Sequence, residues 1–319
     1  MRYRVLLTDY AWPDLEIERA TLAEIDAELV VASQTDAASL AAQAADADAI
    51  MTTWARVSAD VLAAAKRCRI VARMGIGLDN IDVEFATRRA MLVTNVPDYC
   101  LKEVAEHTLA LILALGRKVA FYHQQTKAGG YDLRAGAALR RLEGQTVGVV
   151  GLGNIGRQVA AKASALGFRV IASTRRAASA PLAVECLPLD TLLAQSDYVS
   201  LHVPSTAESR HLIGRAELAR MKLTTYLINT SRGAVLDEQA LAEALAAGHL
   251  AGAALDVQQH EPPDLSRPPF NDPRVIVTPH AAFSSVEAVT ELRRRASRQV
   301  ADALTGRKPE NVVNPMIKR

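Results

Sequence analysis

The sequence predicts an α/β protein made of two doubly wound parallel-sheet domains. Three observations carry this reading. The 319 residues correspond to about two domains at roughly 150 residues each. From Tyr3 to Val96, short apolar runs alternate with helical patterns, as strands and crossover helices do in a parallel sheet. A second alternation runs from Thr146 to Thr278 and holds six strand candidates, enough for a complete dinucleotide-binding sheet.

In the first region, Tyr3 to Thr8, Leu29 to Ala32, Ala49 to Thr52 and Ile70 to Arg73 read as strands. Ile17 to Glu28, Ser39 to Ala45 and Val61 to Cys68 read as the helices between them. Met74-Gly75-Ile76-Gly77 breaks the chain at a strand's C-terminal end, where ligands bind in open α/β sheets. Pro97 stops the apolar run Leu92 to Val96. One long helix is expected from Leu101 to about Lys127, with Val104, Thr108, Leu111, Ile112 and Leu115 on one face. Its apolar character suits a subunit contact, a strut between domains or a buried core helix. The strand candidates that follow are Thr146 to Val150, Arg169 to Ala172, Tyr198 to His202, Tyr226 to Asn229, Gly252 to Asp256 and Val275 to Thr278. Val286 to Thr305 closes the chain as a helix.

Composition narrows the function. Lys plus Arg number 37 and Asp plus Glu 35, for a net charge of +2. That balance argues against a nucleic-acid binder relying on a basic surface. Aromatic residues make up 4%, which argues against single-strand stacking platforms. No apolar stretch approaches the roughly 20 residues of a membrane span. The N-terminal apolar run is too short for a secretory signal. Cys68, Cys100 and Cys186 have neither metal-ligand nor disulfide spacing, so no metal and a cytoplasmic location are expected.

Gly151-Leu152-Gly153-Asn154-Ile155-Gly156 is a G-x-G-x-x-G run placed directly after a strand and at the start of a helical pattern. In that context it predicts a dinucleotide site. The glycines permit a tight turn, close approach of the pyrophosphate and helix–strand packing, and the helix N-terminus attracts the phosphates. The next strand commonly ends in an acid that binds the ribose 2′-hydroxyl. Here it ends in Ser173-Thr174-Arg175-Arg176. A hydroxyl and two guanidiniums suit a 2′-phosphate, so NADP(H) is favoured over NAD(H).

Arg232 follows the strand Tyr226 to Ile228 and can hold a carboxylate bidentately. His280 follows another strand, and Glu261 lies in a Pro-rich loop after Asp256. Singly, each could be structural or solvated. Together they supply what hydride transfer to a 2-keto acid needs: a cation for the carboxylate, a proton donor for the carbonyl oxygen, and a group that keeps the donor protonated.

These motifs resemble those of the D-isomer-specific 2-hydroxyacid dehydrogenase family over essentially the whole chain. The matching stretches are Gly75 to Asp82, Thr94 to Leu113, Gly151 to Gly156, Leu201 to Thr206, Ile228 to Gly233, Leu255 to Pro262 and Thr278 to Phe283. The tail through Thr305 to Pro315 is most similar to the branch containing the C-terminal binding proteins. The resemblance implies a flavodoxin-like, discontinuous substrate domain (1–99 and 283–319) around a Rossmann domain (100–282). It implies catalytic roles for Arg232, Glu261 and His280. It also implies cofactor contacts from His202, Pro204, Thr230 and Asp256, the last near the nicotinamide carboxamide. The backbone of Gly75 to Gly77 would hold the substrate carboxylate, and Trp54, Ala55, Met74, Ile76 and Phe283 would set the pocket's size. A homodimer joined through the nucleotide domains is expected. Two departures stand out. Thr174 replaces the common Asp, and Phe283 stands where the C-terminal binding proteins carry Trp. The leading expectation is an NAD(P)H-dependent reductase of small 2-keto acids such as glyoxylate or hydroxypyruvate. The alternatives are a nucleotide-sensing interaction protein and a dehydrogenase of another small anion, such as phosphite.

Overall fold

The computed structural model describes residues 2–136, 138–175 and 184–314. The chain forms two compact units, Met1–Tyr99 with Ser285–Arg319, and Cys100–Ser284.

The first unit runs β1 (Tyr3–Leu7), α1 (Glu16–Ala23), β2 (Ala27–Val31), α2 (Ala37–Ala44), β3 (Ala49–Thr52), α3 (Ala59–Ala64), β4 (Ile70–Arg73), α4 (Val83–Arg88) and β5 (Leu92–Thr94). Its sheet is wholly parallel, in the order β2-β1-β3-β4-β5. β3 and β4 are buried at every position, which is why they read as continuous apolar runs. The expected helix Ile17 to Glu28 ends earlier, at Ala23. Asp26 turns into the left-handed region (φ 55°) and the chain enters β2 at once. Asp26 stabilises that turn by accepting the Arg2 amide on its carbonyl at 2.8 Å and on its carboxylate at 3.1 Å.

The last helix, Val286–Leu304, returns to this unit and packs on β4 and α1. A buried bidentate ion pair fixes it there. Arg293 Nε and Nη2 donate to the two oxygens of Glu18, each at 2.8 Å, and Nη2 also reaches Asp14. Asn314 extends the edge of β5, where its side chain accepts from the Val93 amide at 2.8 Å and donates to the Met91 carbonyl at 2.9 Å.

The second unit runs α5 (Leu101–Gly116), α6 (Val119–Lys127), β6 (Thr146–Val150), α7 (Asn154–Ala165), β7 (Arg169–Ser173), β8 (Glu185–Cys186), α8 (Leu189–Gln195), β9 (Tyr198–Leu201), α9 (Arg215–Arg220), β10 (Tyr226–Asn229), α10 (Glu238–Ala246), β11 (Gly252–Leu255) and β12 (Val275–Val277). The final helix, Val286–Leu304, is α11. All strands are parallel, in the order β12-β11-β10-β9-β6-β7-β8. Alternate residues feed opposite faces. Ile171, Leu227 and Ala253 join one core layer, while Ala172, Ile228 and Ala254 join the other.

Two expectations are corrected here. The sheet has seven strands rather than six, because β8 is only two residues long and too short to show a pattern. The single helix Leu101 to Lys127 is two helices. Lys118 adopts a left-handed conformation (φ 53°, ψ 35°), and its amide caps α5 through the Leu115 carbonyl at 3.1 Å. Periodicity ran through this break because apolar residues continue on its far side as Val119 and Phe121.

Candidate functional site

β6 sits inside the second sheet, between β7 and β9, where the strand order reverses. Ligands of open α/β sheets bind at such switch points. Gly151 ends β6 with φ +96°, and a Cβ there would lie 2.7 Å from the His202 carbonyl oxygen. Gly153 is the N-cap of α7, with no side chain over the helix end and open space above it. Asn154 is exposed, Ile155 half-buried, and Gly156 packs against the Gly151 carbonyl. The turn therefore presents the uncapped amides of a twelve-residue helix beside backbone that a phosphate can approach. These residues fit the pyrophosphate of a dinucleotide.

At the end of β7, Thr174 is half-buried and Arg175 exposed. Arg176 lies outside the described residues. Glu208 is held below the usual carboxylate range, chiefly by the Thr206 hydroxyl, and the Arg175 charge contributes to this. His202 Nε2 lies 2.8 Å from Ser200 Oγ. Burial lowers its pKa to about 4, so it is neutral at pH 7. Pro204 offers its carbonyl to Ser209 Oγ at 2.6 Å.

Arg232 stands three residues beyond β10 on a loop ordered by Asn229, which is fully buried. Asn229 Oδ1 accepts from the Ser231 amide at 3.0 Å and hydroxyl at 2.8 Å, and Asn229 Nδ2 donates to the Arg232 carbonyl at 2.9 Å. His280 Nδ1 lies 2.8 Å from Glu261 Oε2. The other Glu261 oxygen accepts the Gln258 amide at 3.0 Å. Burial pushes the Glu261 carboxyl upward. The hydrogen bond and charge of His280, the Gln258 amide and the charge of Arg232 outweigh it, and the net shift is downward. Arg232 thus acts on the same carboxylate that holds His280. Phe283 stands edge-on to the imidazole, with ring centroids 6.2 Å apart at 78°.

His280 is itself in the left-handed region (φ 51°), a conformation uncommon outside glycine. Asp256 holds it there. The Asp256 carbonyl accepts the His280 amide at 2.8 Å. Its buried carboxylate accepts the Ala281 and Ala282 amides at 2.9 and 3.0 Å and the Thr278 hydroxyl at 2.6 Å. The carboxylate is therefore engaged in shaping the His280 turn, a use that its position in the sequence did not suggest.

In the first unit, Met74 to Gly77 follow β4. Met74 is buried, while Ile76 and Gly77 are partly exposed. The Gly75 carbonyl accepts from the Val96 amide at 3.1 Å, and the Ile76 carbonyl from Asn95 Nδ2 at 2.6 Å. Trp54 and Ala55 follow β3, with Trp54 exposed. Arg73 is a residue that the sequence motifs did not point to. It is a buried arginine whose Nη1 donates to the Met74 carbonyl and whose guanidinium lies directly under Gly75. A charged residue ending an otherwise apolar strand was the available signal.

Among the described residues, no cluster of three His, Cys, Asp or Glu side chains is arranged to hold a metal ion, and no helix is long and apolar enough to cross a membrane.

A wholly parallel seven-stranded sheet with a glycine turn at its switch point defines a dinucleotide-binding fold. The family model described as D-isomer specific 2-hydroxyacid dehydrogenase, NAD binding domain, matches residues 109–282. The chain belongs to the D-isomer specific 2-hydroxyacid dehydrogenase family. It is 40% identical over 285 residues to a glyoxylate reductase of Aeropyrum pernix, covering 86% of this chain and 85% of that one. It is 41% identical to a D-3-phosphoglycerate dehydrogenase of Mycobacterium leprae, covering 88% of this chain but about half (53%) of the longer relative. Among solved structures, it resembles an NADPH-dependent glyoxylate/hydroxypyruvate reductase of Sinorhizobium meliloti in complex with NADP and malonate. That match has a TM-score of 0.87 and 29% identity, and covers 100% of this chain and 99% of the other.

Proposed function

We propose that this chain is a reductase of small 2-keto acids, of the glyoxylate or hydroxypyruvate kind, that yields D-2-hydroxy acids. The observation that carries this is the 2.8 Å His280–Glu261 pair with the Arg232 charge acting on the same carboxylate. The bound nicotinamide dinucleotide supplies the hydride. Arg232 holds the substrate carboxylate bidentately. As negative charge builds on the carbonyl oxygen, His280 donates a proton to it. With Nδ1 engaged by Glu261, that proton leaves from Nε2. Glu261 orients the ring by holding Nδ1 at 2.8 Å. In the oxidative direction the same nitrogen takes the proton back. The amides of the Gly75 turn are assigned to the substrate carboxylate on family resemblance, and Phe283 to the wall beside the substrate.

NADPH is the proposed donor. Thr174 and Arg175 end β7 without an acid, and the Sinorhizobium meliloti relative was solved with NADP. A homodimer through the second unit is also proposed. Val119, Tyr131 and Leu133 are 59%, 96% and 79% exposed on the segment after α5, apolar side chains that a partner subunit could cover. The three cysteines are free, which suits a reducing cytoplasm.

Turnover of NADPH with glyoxylate and hydroxypyruvate tests the function. Arg232→Lys should keep the charge but lose the fork, raising KM and lowering kcat. His280→Ala should lower kcat by about 10²–10⁴ with cofactor affinity retained. Full activity of either variant would remove that residue from the mechanism.

A further inference from the structure

Two consecutive residues of α5 reach two different loops of the site. Thr108 Oγ1 lies 2.8 Å from Thr230 Oγ1, two residues before Arg232. His107 Nε2 lies 3.1 Å from Thr278 Oγ1, two residues before His280. The direction of each bond follows from counting protons. A threonine hydroxyl has one proton to give. Thr278 gives its own to Asp256 Oδ1 at 2.6 Å, so it must accept from His107, which therefore carries a proton on Nε2. Thr108 gives its own to the Val104 carbonyl at 2.7 Å, so Thr230 donates to Thr108.

β10 and β12 are not neighbours in the sheet, because β11 lies between them. Their ladder hydrogen bonds therefore do not tie the Arg232 loop to the His280 turn directly. α5 packs on β10 and β11, and its side chains grip both loops. We infer that His107 and Thr108 are positioning residues that set the register between the carboxylate-binding Arg232 and the proton-donating His280. This rests on the roles proposed above for those two side chains. Chemistry of this kind is sensitive to such register, since a displacement of about 1 Å at the reacting groups costs roughly 100-fold in rate.

The two contacts should fail differently. With NADPH saturating and hydroxypyruvate varied, Thr108→Val should raise KM by about 10-fold and leave kcat within about 2-fold, because it loosens the Arg232 loop. His107→Phe should lower kcat by about 10-fold with KM nearly unchanged, because it loosens the His280 turn. Thr108→Ser and His107→Gln keep a hydroxyl and a side-chain N–H, and each should restore its parameter. Thr278→Val removes both the His107 contact and its own bond to Asp256, so it should lower kcat at least as far as His107→Phe, and the double variant should be no worse than Thr278→Val alone. Equal losses in kcat and KM from both variants, or absence of rescue, would reduce the pair to ordinary packing and overturn the inference. Arg232→Lys and His280→Ala are measured alongside. If those two abolish turnover while the α5 variants match the parent, only this inference fails. If those two leave turnover intact, the reading of the site fails. A readout independent of turnover is the His107 Nε2 proton itself. It should appear in the imidazole region of the proton NMR spectrum of the resting protein and shift in Thr278→Val, where Asp256 Oδ1, 3.5 Å from Nε2, is the remaining acceptor. Its absence from the parent would also overturn the inference.

Discussion

The two glycine turns of the molecule end strands of the same kind, yet what lies beneath them differs. Under Gly151 is backbone: a Cβ would meet the His202 carbonyl at 2.7 Å. Under Gly75 is a side chain: a Cβ would meet Arg73 Nη1 at 2.5 Å. The first turn opens a twelve-residue helix whose N-terminus attracts an anion through its amides. The second is followed by no long helix, and the nearest positive charge is a buried guanidinium. One turn is thus suited to a pyrophosphate by its fold, and the other, proposed above to meet the substrate carboxylate, has a guanidinium below it.

Substitutions can break this contrast. The largest effect is expected at Gly151→Ala. Backbone cannot step aside for the new methyl group, and the positive φ adds strain. NADPH Kd, read by cofactor fluorescence, should rise by about 100-fold or more, in line with an ångström-scale displacement. Arg175→Ala should come next. Loss of a charge-assisted contact of about 1.5–3 kcal/mol predicts a roughly 10- to 100-fold fall in kcat/KM for NADPH but not for NADH. Equal or better use of NADH by the parent would reverse the proposed preference. Gly75→Ala is also strained, at φ +155°, but should act more gently, because the end of a side chain can shift where backbone cannot. Its keto-acid KM should rise by about 10-fold with NADPH Kd unchanged. A change in NADPH Kd there would erase the distinction between the turns.

The smallest effect is on stability alone and concerns the strand end above Gly151. His202 has its pKa lowered from 6.5 to about 4, so its neutral form is favoured in the folded state. The unfolded chain then binds more protons between those values. The stabilisation is complete above pH 6.5 and is lost as pH falls toward about 4. Denaturant unfolding at pH 7 and pH 5 should show a loss of about 2 kcal/mol that His202→Gln does not share. Identical slopes for the two proteins would place the pH sensitivity elsewhere.

The glycine run and the strand alternation were legible in the sequence, as was the placing of Arg232, Glu261 and His280 beyond strands of the second sheet. Each depends on local order: a turn after an apolar strand, or a polar residue just past one. The break at Lys118 was not legible, since a left-handed residue can sit inside an unbroken apolar period. β8 was not legible either, because two residues carry no periodicity.

Long-range partners were beyond the sequence altogether. That Asp256 shapes the His280 turn, that Arg73 lies under Gly75, and that one turn of α5 grips two loops 122 and 171 residues away are facts of packing. The sequence by itself determined the class of fold and the inventory of chemical groups, because periodicity and turn chemistry act over a few residues. Only the tertiary structure decided which groups face one another. Hydrogen bonds and charges act over a few ångströms, and the chain's spacing in sequence says nothing about distances that the sheet order and helix packing create.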